Sequence, residues 1–161
     1  MGCSTYREFP MPSKDGRAAQ FFQNVLYSEW LLAQDSCRKV IALWQKPSPW
    51  EAEAFGGFYI GSYNMPFLKE VLARAYICAG EVEKAIEEYE RLTTTDPTKK
   101  KERRLIHPKY HYRLALLYEQ RGMKERAVAE YTKFIDLWKN ADKNLPEPKD
   151  ARARLTKLSV R

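Results

Sequence analysis

The sequence predicts an all-α fold, an α-solenoid of antiparallel helix pairs closed by a carboxy-terminal capping helix. Three observations carry that prediction. Leu72-Ala73-x2-Tyr76-x3-Gly80-x4-Ala85-x3-Tyr89 recurs forty-two residues later as Leu114-Ala115-x2-Tyr118-x3-Gly122-x4-Ala127-x3-Tyr131. In each copy apolar residues fall at helical spacing on both sides of a glycine, the pattern of helix, tight turn, helix. The chain then ends on a segment with one apolar stripe and one basic face. A repeated helical hairpin cannot bury its apolar face alone, so neighbours must stack, and a half-polar last helix closes the stack.

Residues 1–15 read as an amino-terminal tail and 16–161 as one helical repeat domain. A chain of this length is one ordinary domain, able to bury roughly two thirds of its unfolded surface. A first unit spans about 21–46: Phe21, Phe22, Val25, Leu26, Trp30 and Leu31 follow helical spacing, and Asp35-Ser36 supplies a turn. Val40, Ile41, Leu43 and Trp44 form its second stripe, ended by Pro47-Ser48-Pro49. Asp35 takes the place of Gly80, and Val40 that of Ala85; the alternative is two helices unrelated to the repeat. Residues 50–64, with Phe55-Gly56-Gly57-Phe58-Tyr59, are a loop or an irregular start to the next helix.

The second unit covers 66–97. Pro66 opens it, Phe67, Leu68, Val71, Leu72, Ala75 and Tyr76 pack, and Gly80 stops the helix. Val82, Ala85, Ile86, Tyr89 and Leu92 follow, with Asp96-Pro97 at the close. The third unit covers 108–139. Pro108 suits a first turn, where its missing N–H costs nothing. Tyr110, Leu114, Leu117 and Tyr118 line one side, and Ala127, Tyr131, Phe134, Ile135 and Trp138 the next. A capping helix over about 148–158 buries Ala151, Leu155 and Leu158 and presents Lys149, Arg152, Arg154 and Lys157 to water.

These residues resemble the tetratricopeptide repeat (TPR), in which small alanines lie where two helices cross and aromatics fill the spaces beside them. The match lies in Leu72-Ala73-x2-Tyr76, Ala85-x3-Tyr89 and Pro97, and in Leu114-Ala115-x2-Tyr118 with Ala127-x3-Tyr131. Lys69 and His111 stand where the family has its opening tryptophan, and the later unit lacks the closing proline. Residues 98–105 exceed the usual ~34-residue period. Phe134-Ile135-Asp136-Leu137-Trp138-Lys139, Ala141-Asp142, Leu145-Pro146 and Asp150-Ala151-Arg152-x-Arg154-Leu155 also resemble the carboxy-terminal repeat block of bacterial regulatory proteins. That likeness implies a scaffold or sensing module.

Composition limits the function classes. The chain is 44% hydrophobic and 13% aromatic, too apolar for a disordered one. No stretch approaches the ~18 apolar residues of a membrane span. Arg7, Glu8, Lys14 and Asp15 among prolines, without an apolar run, argue against a secretory signal. Met1-Gly2-Cys3-Ser4-Thr5 is followed by Tyr6 rather than a hydroxyl residue of the acylation pattern. Cys3, Cys37 and Cys78 are odd in number and far apart in sequence, so they form no disulfide framework. A reducing, cytoplasmic setting follows from that reading.

Catalytic chemistry finds little support. His107 and His111 have the spacing of a zinc pair, but two further ligands are wanting, so no metal and no cofactor are expected. Gly56-Gly57 is not followed by Gly-Lys-Ser/Thr, so there is no phosphate loop. Glu81, Glu83, Glu87, Glu88 and Glu90 alternate with Lys84 and Arg91 as on a solvated helix face. No catalytic triad is suggested. The chain reads as a non-enzyme.

The net charge of +7 is unevenly spread: residues 98–161 carry eighteen basic and eight acidic side chains. The basic loop Lys99, Lys100, Lys101, Arg103 and Arg104, with Arg113, Arg121, Lys124, Arg126, Arg152 and Arg154, defines an alternative function. A 98–126 surface could bind nucleic acid or another acidic polymer. The favoured expectation is protein–protein interaction, with a peptide or protein segment in the concave groove. By resemblance, that groove is lined by Phe22, Val25, Glu29, Phe67, Glu70, Arg74, Lys109, Tyr112, Leu116 and Glu119. Val25, Glu70 and Tyr112, and likewise Glu29, Arg74 and Leu116, replace the residues that clamp a peptide carboxylate, so that clamp is absent. Residues 50–64 could instead fill the groove from within, and the apolar end near 18–32 could support self-association.

Overall fold

Each helix pair turns on one residue in the left-handed backbone region. In the computed structural model those residues are Asp35, Gly80 and Gly122, with φ of 54°, 76° and 71°. The structure describes residues 16–44 (side chains from 22), 69–94, 106–142 and 144–159. Among these it forms α1 (Gly16–Leu32), α2 (Cys37–Leu43), α3 (Val71–Cys78), α4 (Val82–Thr93), α5 (Pro108–Gln120), α6 (Lys124–Leu137) and α7 (Pro146–Ser159), and no strand. The tail at 1–15, residues 50–64, Phe67 and the basic loop lie outside the described residues.

The three turns repeat one hydrogen-bond scheme. Glu81 N–H donates to Tyr76 O at 2.9 Å and Gly80 N–H to Ile77 O at 3.0 Å. Met123 N–H donates to Tyr118 O at 2.8 Å and Gly122 N–H to Glu119 O at 3.0 Å. Ser36 N–H donates to Leu31 O at 2.9 Å and Asp35 N–H to Leu32 O at 3.1 Å. This paired closure satisfies carbonyls left open at a helix end and needs a left-handed residue, hence glycine or a short polar side chain. Turns this short make consecutive helices antiparallel neighbours.

Packing follows the sequence stripes. Ala73, Ala85, Ala115 and Ala127 are fully buried where helices cross, beside Tyr89, Leu114, Tyr131 and Phe134. Ala151 of α7 joins the same core, with Leu155 and Leu158 packed at its edge, while Lys149, Arg152 and Lys157 face water. A second core forms where Val25, Leu31, Val40 and Trp44 meet Val71, Leu72 and Ala75 of α3. Tyr76 touches both cores. Trp44 completes its burial by donating its indole N–H to Ser28 Oγ at 2.8 Å.

One expectation is corrected. Cys37 and Cys78, 41 residues apart in sequence, are joined by a disulfide with Cα atoms 5.8 Å apart. Stacking α2 on α3 brings the start of one helix beside the end of the other, which linear spacing does not reveal. The cysteine pattern therefore no longer argues for a reducing compartment. No helix among the described residues is long and apolar enough to cross a membrane.

Candidate functional site

The first helices of successive pairs, α1, α3 and α5, and then α7, are stitched together by side chains. Arg74 of α3 donates from both Nη atoms to the Glu29 carboxylate of α1, at 2.6 and 3.0 Å. At the next junction Arg113 of α5 lies 2.8 Å from Glu70, whose carboxylate also accepts from Tyr89 Oη at 3.1 Å. At the last, α5 and α7 run in register. Lys109 Nζ is 2.7 Å from Glu147, and Tyr112 Oη donates to Asp150 at 2.7 Å. Further along, Arg154 donates to Glu119 at 3.0 Å and to Asp150 at 2.6 Å, and Tyr131 Oη donates to Glu119 at 2.8 Å.

The electrostatics follow from this mixture of burial and pairing. Glu70 is 2% exposed, and burial raises its pKa although Arg113, Tyr89, Arg74 and Lys109 pull the other way. Burial and the acceptor Asp150 push the Tyr112 hydroxyl up to about 12, so it stays a donor. Asp150 is held below its usual range: burial raises it, but Tyr112 and Arg154 outweigh burial. His107 caps α5 by accepting Lys109 N–H at 3.2 Å, its ring 5.9 Å from both Tyr110 and Trp138. Burial, then Lys109 and Arg113, lower its pKa.

The expected groove residues divide accordingly. Glu29, Arg74, Lys109, Tyr112 and Glu119 lie along the stitched face, each bonded to a neighbouring helix. Leu116 is half-buried against the main core and Phe22 against the amino-terminal one. Val25, 1% exposed, and Glu70 point into the protein rather than a groove. Sequence reasoning missed Arg113, Glu147, Asp150 and Arg154 as partners on this face. Their signal was the opposite charge one stacked helix away, visible only once the register of α5 and α7 is known.

The basic surface is also partly neutralised. Arg113 meets Glu70, Arg121 meets Glu83, Arg126 meets Glu90, and Arg154 meets Glu119 and Asp150. Among the described residues Lys124 and Arg152 make no ion pair with an acid on that surface, and the basic loop lies outside them. His111 is buried with its Nδ1 2.6 Å from Glu130 Oε2, a link between α5 and α6. No group of three or more His, Cys, Asp and Glu that could hold a metal occurs among the described residues.

Residues 110–141, which comprise most of α5, its turn and all of α6, match the family model described as tetratricopeptide repeat. That segment is similar to a tetratricopeptide repeat. In that repeat Ala115 and Ala127 are the crossing residues, Gly122 makes the turn, and Tyr118 and Tyr131 fill the flanks. No curated protein and no solved structure matches the chain.

Proposed function

We propose that this chain is a non-catalytic protein-binding module whose stitched helix face receives a peptide or protein segment. The tetratricopeptide match over 110–141 carries the reading, because stacked pairs of this kind present an extended face rather than a closed pocket. The ladder of ion pairs shapes how the face works. A partner offering charge alone would have to break an existing pair and gain little. Binding energy then comes from apolar side chains seated beside Tyr112, Leu116 and Phe22, with charges fixing register. The likeness to bacterial regulatory proteins supports a role as a scaffold or sensing element.

The test is capture of a protein partner by the full chain at raised salt. Capture should survive the salt and fall sharply in Tyr112→Ala and Arg74→Glu, with helix content checked by circular dichroism. If neither substitution alters binding to a verified partner, the face is wrongly assigned. Binding that collapses with salt and disappears on neutralising Lys99, Lys100, Lys101, Arg103 and Arg104 would move the function to the acidic-polymer alternative.

Self-association is a second proposal, resting on a specific observation. Leu26 and Trp30 on α1 are 69% and 48% exposed, whereas the other end of the stack closes on the polar face of α7. A solenoid end with apolar side chains in water favours pairing with another surface. Sedimentation should show an oligomer that Leu26→Glu with Trp30→Glu converts to monomer. A monomer at all concentrations refutes it.

A further inference from the structure

The two bridged cysteines differ in access. Cys37, at the start of α2, is 5% exposed, whereas Cys78, at the end of α3, is open to solvent. Their Cα separation of 5.8 Å is that of an ordinary disulfide, so no helix must move for the bond to form or open. The seam they fasten has supports of its own. Val40 and Trp44 pack on Leu72 and Ala75, and Glu29 holds Arg74 across the same junction. The bond is thus a fastening added to a packed interface, and the interface keeps the two sulfurs adjacent when it is open.

We infer that Cys37 and Cys78 form a reversible thiol–disulfide exchange site, entered by low-molecular-weight thiols at Cys78 and resolved by Cys37. An incoming thiolate attacks at the exposed residue Cys78, forms a mixed disulfide there and expels Cys37 as thiolate. A second external thiolate attacks the mixed disulfide, releasing Cys78 as thiolate and leaving a small-molecule disulfide. The protein bond gains two electrons, and two external thiols are oxidised. In the opposite direction a small-molecule disulfide thiolates Cys78, one external thiol leaves, and Cys37 thiolate displaces the other. Cys78 also lies at a helix carboxy terminus, where carbonyl dipoles disfavour a thiolate. The better leaving sulfur is therefore Cys37, which agrees with attack at Cys78. Opening the bond removes the covalent tie between α2 and α3 and leaves packing and the Glu29–Arg74 pair to hold the junction.

The experiment uses the full chain with Cys3→Ser, equilibrated across reduced and oxidised glutathione ratios, quenched in acid, alkylated and weighed intact. Cys37 and Cys78 should change state together, the chain carrying two alkyl groups or none. Added Cys37→Ser should collect glutathione on the exposed Cys78 at least roughly tenfold faster than Cys78→Ser collects it on the buried Cys37. Access outweighs the smaller thiolate fraction at a helix end. Amide hydrogens of α2 should exchange faster in the reduced chain. Independent alkylation of the two cysteines, equal thiolation rates in the two single variants, or unchanged α2 exchange would each overturn the assignment. The first and third readouts need neither single variant, so a misfolded Cys37→Ser or Cys78→Ser chain leaves the test intact.

Discussion

Arg113 on α5 reaches 2.8 Å from the buried Glu70 carboxylate at the start of α3, tying the second helix pair to the third. Removing the guanidinium leaves an acid that water cannot reach. Arg113→Met should cost about 2 kcal/mol in urea unfolding, less than for a wholly buried pair because Arg113 is partly exposed. The pH dependence fixes the sign. Burial raises the folded-state Glu70 pKa above its ordinary value of 4.5, so its contribution is fully present below that value and is lost as pH rises through the folded pKa. Glu70→Gln removes that loss. The variant should therefore gain on the native chain between pH 4.5 and pH 7; a constant difference refutes the assignment.

The left-handed turns predict opposite effects for two substitutions. A Cβ at Gly122 would meet nothing within 4 Å, so the cost of Gly122→Ala is backbone strain alone, about 1 kcal/mol. Asp35 already bears that strain at φ of 54°. Asp35→Gly should stabilise the first pair by up to about 1 kcal/mol. Chemical denaturation of the two variants reads both signs, and a loss in Asp35→Gly would contradict this account of the turn.

Glu130 offers an acid-side test. Burial raises its pKa, but hydrogen bonds from His111 and Lys133 outweigh burial and hold it below 4.5. Stability from this carboxylate is therefore present above 4.5 and lost as pH falls through the lower folded value. Glu130→Gln should be destabilised most near neutral pH, by about 1–2 kcal/mol, with the gap narrowing below pH 4.5. Melting temperatures at several pH values check it.

The alanines give a packing test. Ala127 is fully buried where α5 crosses α6. Ala127→Leu must push the helices apart and should cost about 1–3 kcal/mol, whereas Ala153→Leu on the exposed side of α7 should cost little. Equal losses at the two sites would show that crossing distance is not what fixes alanine there.

The helix pairs were legible because their causes are local. A left-handed turn demands glycine or a short polar residue, and Asp35 could be placed beside Gly80 and Gly122 on spacing alone. The surroundings of the expected groove residues were not legible from their spacing. Glu119 meets Arg154 across α5 and α7, Leu116 packs at the edge of the main core, and Val25 is buried where α1 packs against α3. Glu70 is buried and paired with Arg113, and its spacing alone does not tell that position from an exposed one.

The sequence by itself determined the helices, their turns and the small residues at their crossings, since backbone preference and apolar period act within a few residues of the chain. Only the tertiary structure decided what lies across a junction. Arg113 finds Glu70, Tyr112 finds Asp150 and Cys37 finds Cys78 because stacking sets which surfaces meet. Those pairings depend on the offset between helices tens of residues apart, and no local preference encodes that offset.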